Sequence, residues 1–126
     1  VLLANMESLG VAGDWFPRVA SSFGGGIART GQVCGAISGA LMAIGWARGR
    51  DVPDEPVDNV YDVGAELVRE FTSKFGTTSC KMLIDVDLSN AEERKRARKS
   101  GVFEQQCGAF VEFCALGAAK ILSEEG

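Results

Sequence analysis

Four cysteines, Cys34, Cys80, Cys107 and Cys114, stand in a chain of 126 residues that contains no histidine. Without an imidazole the chain supplies no histidine-ligated haem, no mixed Cys/His zinc site and no Cys–His nucleophile. Four roles stay open to the sulfurs: thiol–disulfide exchange, a cysteine-ligated metal, an iron–sulfur cluster, or burial as inert thiols. No CxxC is present. If residues 103–123 form one helix, Cys107 and Cys114 lie about 10 Å apart along its axis. A disulfide needs Cα atoms within about 7 Å, so any bridge must join different segments. A structural zinc would have to gather its ligands from distant segments without a knuckle, which ranks it below the other sulfur chemistries.

Local context separates two of the thiols from the rest. Cys34 follows the glycine-rich run Phe23-Gly24-Gly25-Gly26, in the opening turns of an expected helix. Cys80 follows Thr77-Thr78-Ser79, a capping signal for a second helix start. Unpaired amides and the helix dipole favour a thiolate there, so lowered pKa values are expected at both.

The elements that must carry these thiols read as helices. Leu2, Leu3, Met6 and Leu9 fall at helical spacing and Gly10 stops the first helix. Asp14 is a candidate N-cap for a short helix carrying Trp15, Phe16, Val19 and Ala20. A central helix is expected over 31–47, closed by Gly49, and a Pro-containing loop follows from Arg48 to Asn59. The clearest amphipathic helix starts at Asp58 or Asn59 and ends at Gly76, with Val60, Val63, Gly64, Leu67, Val68, Phe71 and Phe75 on one face. Thr78 or Ser79 caps a short helix with the sequence CKMLI, and a charged helix is expected over 91–99. After Gly101 a last helix over 103–123 carries Phe103, Phe110, Val111, Cys114, Ala118, Ile121 and Leu122. No run alternates with period two, so the expected fold is all-α, a compact bundle of five or six helices around a glycine-rich central one. Residues 1–126 read as a single domain, with a few residues expected to be missing before Val1 because the chain opens on an apolar helix.

Glycine inside a helix costs about 1 kcal/mol relative to alanine, yet Gly31, Gly35 and Gly39 recur every fourth residue. Close helix approach would offset that cost. So would access to Cys34 for a cofactor or a partner thiol.

Three segments together resemble a known family: FGGGIARTGQVCGAISGALMAIG, VREFTSKFGTTSCKMLIDVDL and CGAFVEFCALGAAKILSEE. They are similar, in order and spacing, to the redox-active proteins named for their C_GCAxxG_C_C pattern. The CGAxxG motif reads Cys34-Gly35-Ala36-Ile37-Ser38-Gly39. The resemblance implies that Cys34 is the motif cysteine, Cys80 the one after the serine, and Cys107 the last. The family's early cysteine, in an NCAQ-like run, would then be absent or upstream of Val1, leaving Cys114 as an extra thiol. Similarity extends to a module beside the haem domains of split-Soret-type cytochromes. It implies thiol redox chemistry or an iron–sulfur cluster held by Cys34, Cys80 and Cys107, with Gly35 and Cys114 nearby, and no particular substrate.

The leading expectation is therefore a small redox protein working with a thiol or electron-transfer partner protein. The alternative is a non-catalytic helical interaction module with structural cysteines, in which the 31/35/39 stripe and exposed Trp15, Phe16 and Trp46 form a homodimer face. A net charge of −4 gives no reason to expect nucleic-acid binding. The basic run Glu93-Arg94-Lys95-Arg96-Ala97-Arg98-Lys99 reads as a solvated helix face, with an anionic partner or lipid surface as the sharper reading. The uncharged stretch between Arg29 and Arg48 is short and diluted by small polar residues, so no membrane span is expected there. Unpaired thiols point to a reducing cytoplasm. No Ser-His-Asp set, phosphate loop or Rossmann pattern is present.

Overall fold

A computed structural model describes residues 1–124; Glu125 and Gly126, the end of the expected domain and of its final motif, lie outside the described residues. The fold is all-α. Its helices are α1 (Leu2–Ser8), α2 (Trp15–Val19), α3 (Gly35–Arg48), α4 (Asp58–Phe75), α5 (Cys80–Ile84), α6 (Ala91–Ser100) and α7 (Gly108–Ser123). The five-residue α2 and α5 are single turns, both expected from the sequence as short helices. A π-helical turn, Phe103–Cys107, runs directly into α7. Together they give an apolar stretch, Phe103–Ser123, with the length and composition to cross a membrane, although Phe110, Cys114 and Ala118 within it are buried in the core.

Helix α3 is central because its small residues let neighbours close in on several sides. It packs against α1, α4 and α7. Ile37, Ala40 and Ile44 meet Leu67 and Phe71 of α4 and Phe110, Cys114 and Ala118 of α7 in the main core. A side-chain Cβ at Gly39 would stand 3.2 Å from Val1 Cβ and 3.3 Å from Leu2 N, so this glycine lets α1 approach. Leu2, Met6, Phe16 and Ala43 form a second apolar cluster there. Asn5, the buried polar residue of that region, donates its side-chain amide to the Val1 and Ala115 carbonyls at 3.1 and 3.5 Å.

Two sequence expectations need correction. The central helix begins at Gly35, not residue 31, because Cys34 is extended and caps it, while Gly31 is left-handed at φ 73°. The small-residue stripe is thus split, and only Gly35 and Gly39 lie on the helix. The proposed aromatic face is also divided: Trp15 and Trp46 are 49% and 46% exposed, but Phe16 is 1% exposed beneath them. Asp14 occupies an N-cap position without a side-chain capping bond, and α4 starts after Val57 with none either. Ser79 and Asn90 do cap, accepting from the Met82 and Glu93 amides.

Phe71 holds α4 to α7. Its ring lies 4.8, 5.8 and 5.9 Å from those of Phe75, Phe110 and Phe113, and it is fully buried. Replacing Phe71 by alanine is expected to cost about 3–5 kcal/mol, read as a lower urea midpoint with unchanged helical content at zero denaturant. A loss under 1 kcal/mol would contradict the central position given to this ring.

Candidate functional site

Cys34 and Cys80 are 46 positions apart in the sequence yet share one backbone device. Val33 and Ser79 form an isolated antiparallel bridge. The Cys34 amide donates to the Thr78 carbonyl at 2.9 Å, and the Cys80 amide donates to the Gln32 carbonyl at 2.6 Å. One step further out, the Lys81 amide donates to the Gly31 carbonyl at 3.2 Å. The Ser79 hydroxyl donates to that same carbonyl at 3.1 Å and accepts the Met82 amide at 3.3 Å. Ser79 therefore caps α5 and fastens it to the segment leading into α3.

The pairing sets Cys34 across from Thr78 and Cys80 across from Gln32, so the two thiol residues stand two positions out of register with each other across the bridge. All four cysteines are free thiols. Cys34 is 8% exposed, Cys80 half-buried and Cys114 fully buried in the core. Cys107 ends the π-helical turn, half-buried, packed against the cluster that contains Cys34.

The loop that shelters Cys80 is backbone under strain. Five consecutive residues are left-handed: Gly25, Gly26, Ile27, Ala28 and Arg29, with φ between 50° and 69°. Each non-glycine residue there costs about 1–2 kcal/mol. The turn is held by Thr30, whose hydroxyl donates to the Gly26 carbonyl at 2.9 Å, and by the Gln32 amide, which donates to the same carbonyl at 2.8 Å. A Cβ at Gly26 would sit 2.5 Å from Cys80 Cβ and 2.7 Å from Gln32 N. Glycine is required at this position, for both its φ and its contact with the thiol residue. Gly35 lies against the Phe23 carbonyl, 3.1 Å from where its Cβ would be.

Electrostatics reverses the expected thiol activation. At Cys34 burial is the largest influence and raises the pKa, while the amides of Ala36 and Ile37 at the helix start favour the thiolate and are outweighed. Cys80 is raised to about 11, chiefly by burial and then by the nearby Cys34 and Cys107. Cys107 is raised by burial, then by Cys34 and Glu104. Cys114 is pushed up to about 12, mainly by burial with Cys34 adding. The four sulfurs thus sense one another, with Cys34 common to the other three, and at neutral pH they are protonated.

The expected site residues are therefore gathered unequally: Cys34 and Cys80 by the bridge, Cys107 beside them, Cys114 behind them in the core. Among the described residues no three Cys, Asp or Glu side chains converge closely enough to bind a single metal ion, so the set as arranged does not fit a structural zinc. Sequence reasoning missed the roles of Gly26, Thr30 and the Gly31 carbonyl, and saw Ser79 only as a helix cap. A bridge one residue pair long leaves no alternation to find.

The family model described as "Putative redox-active protein (C_GCAxxG_C_C)" matches residues 1–121. Neither a curated protein nor a solved structure matches the chain.

Two outcomes are expected. Gly26→Ala loses at least about 2 kcal/mol of stability by strain and overlap, whereas Ala28→Gly, exposed and left-handed, holds or gains up to about 1 kcal/mol. Thermal melts of both would show it, and an unaltered Gly26→Ala melt would contradict the packing described. In the reduced protein the Cys80 thiol, raised from 9.0 to about 11, contributes stability that is complete below pH 9 and is lost as pH climbs towards 11. Its alkylation rate should rise about tenfold per pH unit across that window. A plateau already reached near neutrality would overturn the assignment.

Proposed function

The chain belongs to the C_GCAxxG_C_C family, and from that premise we propose that Cys34 and Cys80 act as a dithiol/disulfide pair that exchanges two electrons with a partner protein. The observation that carries this reading is the bridge at Val33 and Ser79, which pairs the backbone entering Cys34 with the backbone entering Cys80. A reducing cytoplasm is the setting that keeps such thiols available.

The more exposed Cys80 is the entry point. Its thiolate attacks one sulfur of a partner disulfide, forming a mixed disulfide and releasing the first partner thiol. Cys34, deprotonated, then attacks the Cys80 sulfur, releasing the second partner thiol and closing the intramolecular bond. The partner gains two electrons and two protons, and this chain loses the same. Closure removes the cost of a buried thiolate, because a disulfide carries no charge. The amides of Ala36 and Ile37 support the Cys34 thiolate during the second attack.

Cys107 lies close enough to raise Cys80 electrostatically and is the spare thiol of the site. An iron–sulfur cluster on Cys34, Cys80 and Cys107 is the other use that the family's cysteines allow, and no step is assigned to one.

Equilibration with excess oxidised glutathione, followed by peptide mapping, tests the pair. The expected product is lighter by about 2 Da and yields a Cys34–Cys80 linked peptide, with Cys107 and Cys114 still alkylatable. Cys80→Ser should leave no intramolecular bridge. A bridge that excludes Cys34 or Cys80, or an anaerobically purified protein with stoichiometric iron and sulfide lost in Cys34→Ser, would overturn the dithiol reading.

A further inference from the structure

The left-handed turn that packs on Cys80 has a second side. There Ser21, Gly24, Gly25, Ala28 and Arg29 face Leu88, Arg94, Arg98 and Phe103 across an open cavity of about 550 Å³, within the size range of small-molecule sites. Three guanidinium groups line it and no carboxylate does, in a chain whose net charge is −4. Arg94 and Arg98 stand one helical turn apart on the same face of α6. Arg94 is held in place by donating to the Leu88 carbonyl at 2.7 Å. From the opposite wall, the Arg29 side chain lies along Gly25, 3.2 Å from where a Cβ would be.

The wall itself adds donors. The amides of Gly24 and Gly25 donate to no backbone carbonyl among the described residues. Successive amides in a turn that passes into the left-handed region form concavities suited to anions. Guanidinium groups supply the forked, charge-assisted bonds that phosphate oxygens accept. Leu88 and Phe103 leave an apolar flank for the rest of a ligand. Repulsion among three cations is relieved when an anion of two or more charges enters.

We propose that this cavity binds the phosphate group of a small phosphorylated metabolite, and that Arg94 and Arg98 are in the basic run for this reason. Arg96, from the same run, does not line the cavity and serves as the internal control. The inference is independent of the thiol chemistry, since it needs neither Cys34 nor Cys80.

Calorimetric titration with inorganic pyrophosphate and with ADP tests it, with citrate as a trianion lacking phosphate and phosphatidylglycerol vesicles as the lipid arm. Saturable binding of both phosphate probes is expected, weakened at least about tenfold by Arg98→Glu or Arg29→Glu and changed less than about threefold by Arg96→Glu. Amide shifts on binding should centre on Gly24, Gly25 and Ala28. Arg29 and Arg98 are exposed, so circular dichroism of those variants should match the parent, and each checks the other. No saturable binding, an equal loss with Arg96→Glu, citrate binding as tightly as pyrophosphate, or binding to vesicles alone would overturn the proposal.

Discussion

The site depends on a single short zipper of backbone hydrogen bonds between residues 31–34 and 78–81. Two amide-to-carbonyl bonds flank the Val33–Ser79 bridge, and the Gly31 carbonyl accepts from both Lys81 and Ser79 just beyond it. Each such bond contributes on the order of 1 kcal/mol net. Their effect on geometry is larger than that sum. They orient the starts of two helices, α3 and α5, so that a cysteine stands at the entry to each, across the pairing from the other. The strained turn from Gly25 to Arg29 follows from this arrangement, because the chain must leave the Phe23 region and return in time to pair at Gln32.

Burial and helix-start polarity compete at Cys34, and the magnitudes decide in favour of burial. Hydrogen bonds from Ala36 and Ile37 stabilise a thiolate, but the hydrocarbon of Ile37, Phe110 and their neighbours in the main core penalises the charge more. The same holds with greater force at Cys114. Burial thus holds the reduced thiols neutral, and the disulfide proposed for Cys34 and Cys80, being uncharged, suits the same apolar surroundings.

Much of the architecture could be read from residue patterns. The face from Val60 to Phe75 forms the α4 side of the core, and Ser79 caps α5 where the Thr-Thr-Ser run suggested. The family resemblance also stands over residues 1–121. What could not be read is instructive. Periodicity extended α3 back to Gly31 because glycine spaced by four looks the same whether it serves a helix contact or a left-handed turn. Thiol activation was inferred from helix starts alone, and local sequence carries no record of how much apolar side chain will close over a sulfur. Phe16 looked exposed beside Trp15 for the same reason: its partners, Leu2, Met6 and Ala43, come from elsewhere in the chain.

Nuclear Overhauser contacts in the reduced protein test the zipper most directly, together with amide hydrogen exchange at the two cysteines. The expected result is a close Hα–Hα contact between Val33 and Ser79, with the Cys34 and Cys80 amides protected to a degree comparable with core amides of α3. Absence of that contact, with both amides exchanging as freely as those of the 49–57 loop, would contradict the pairing on which the account rests.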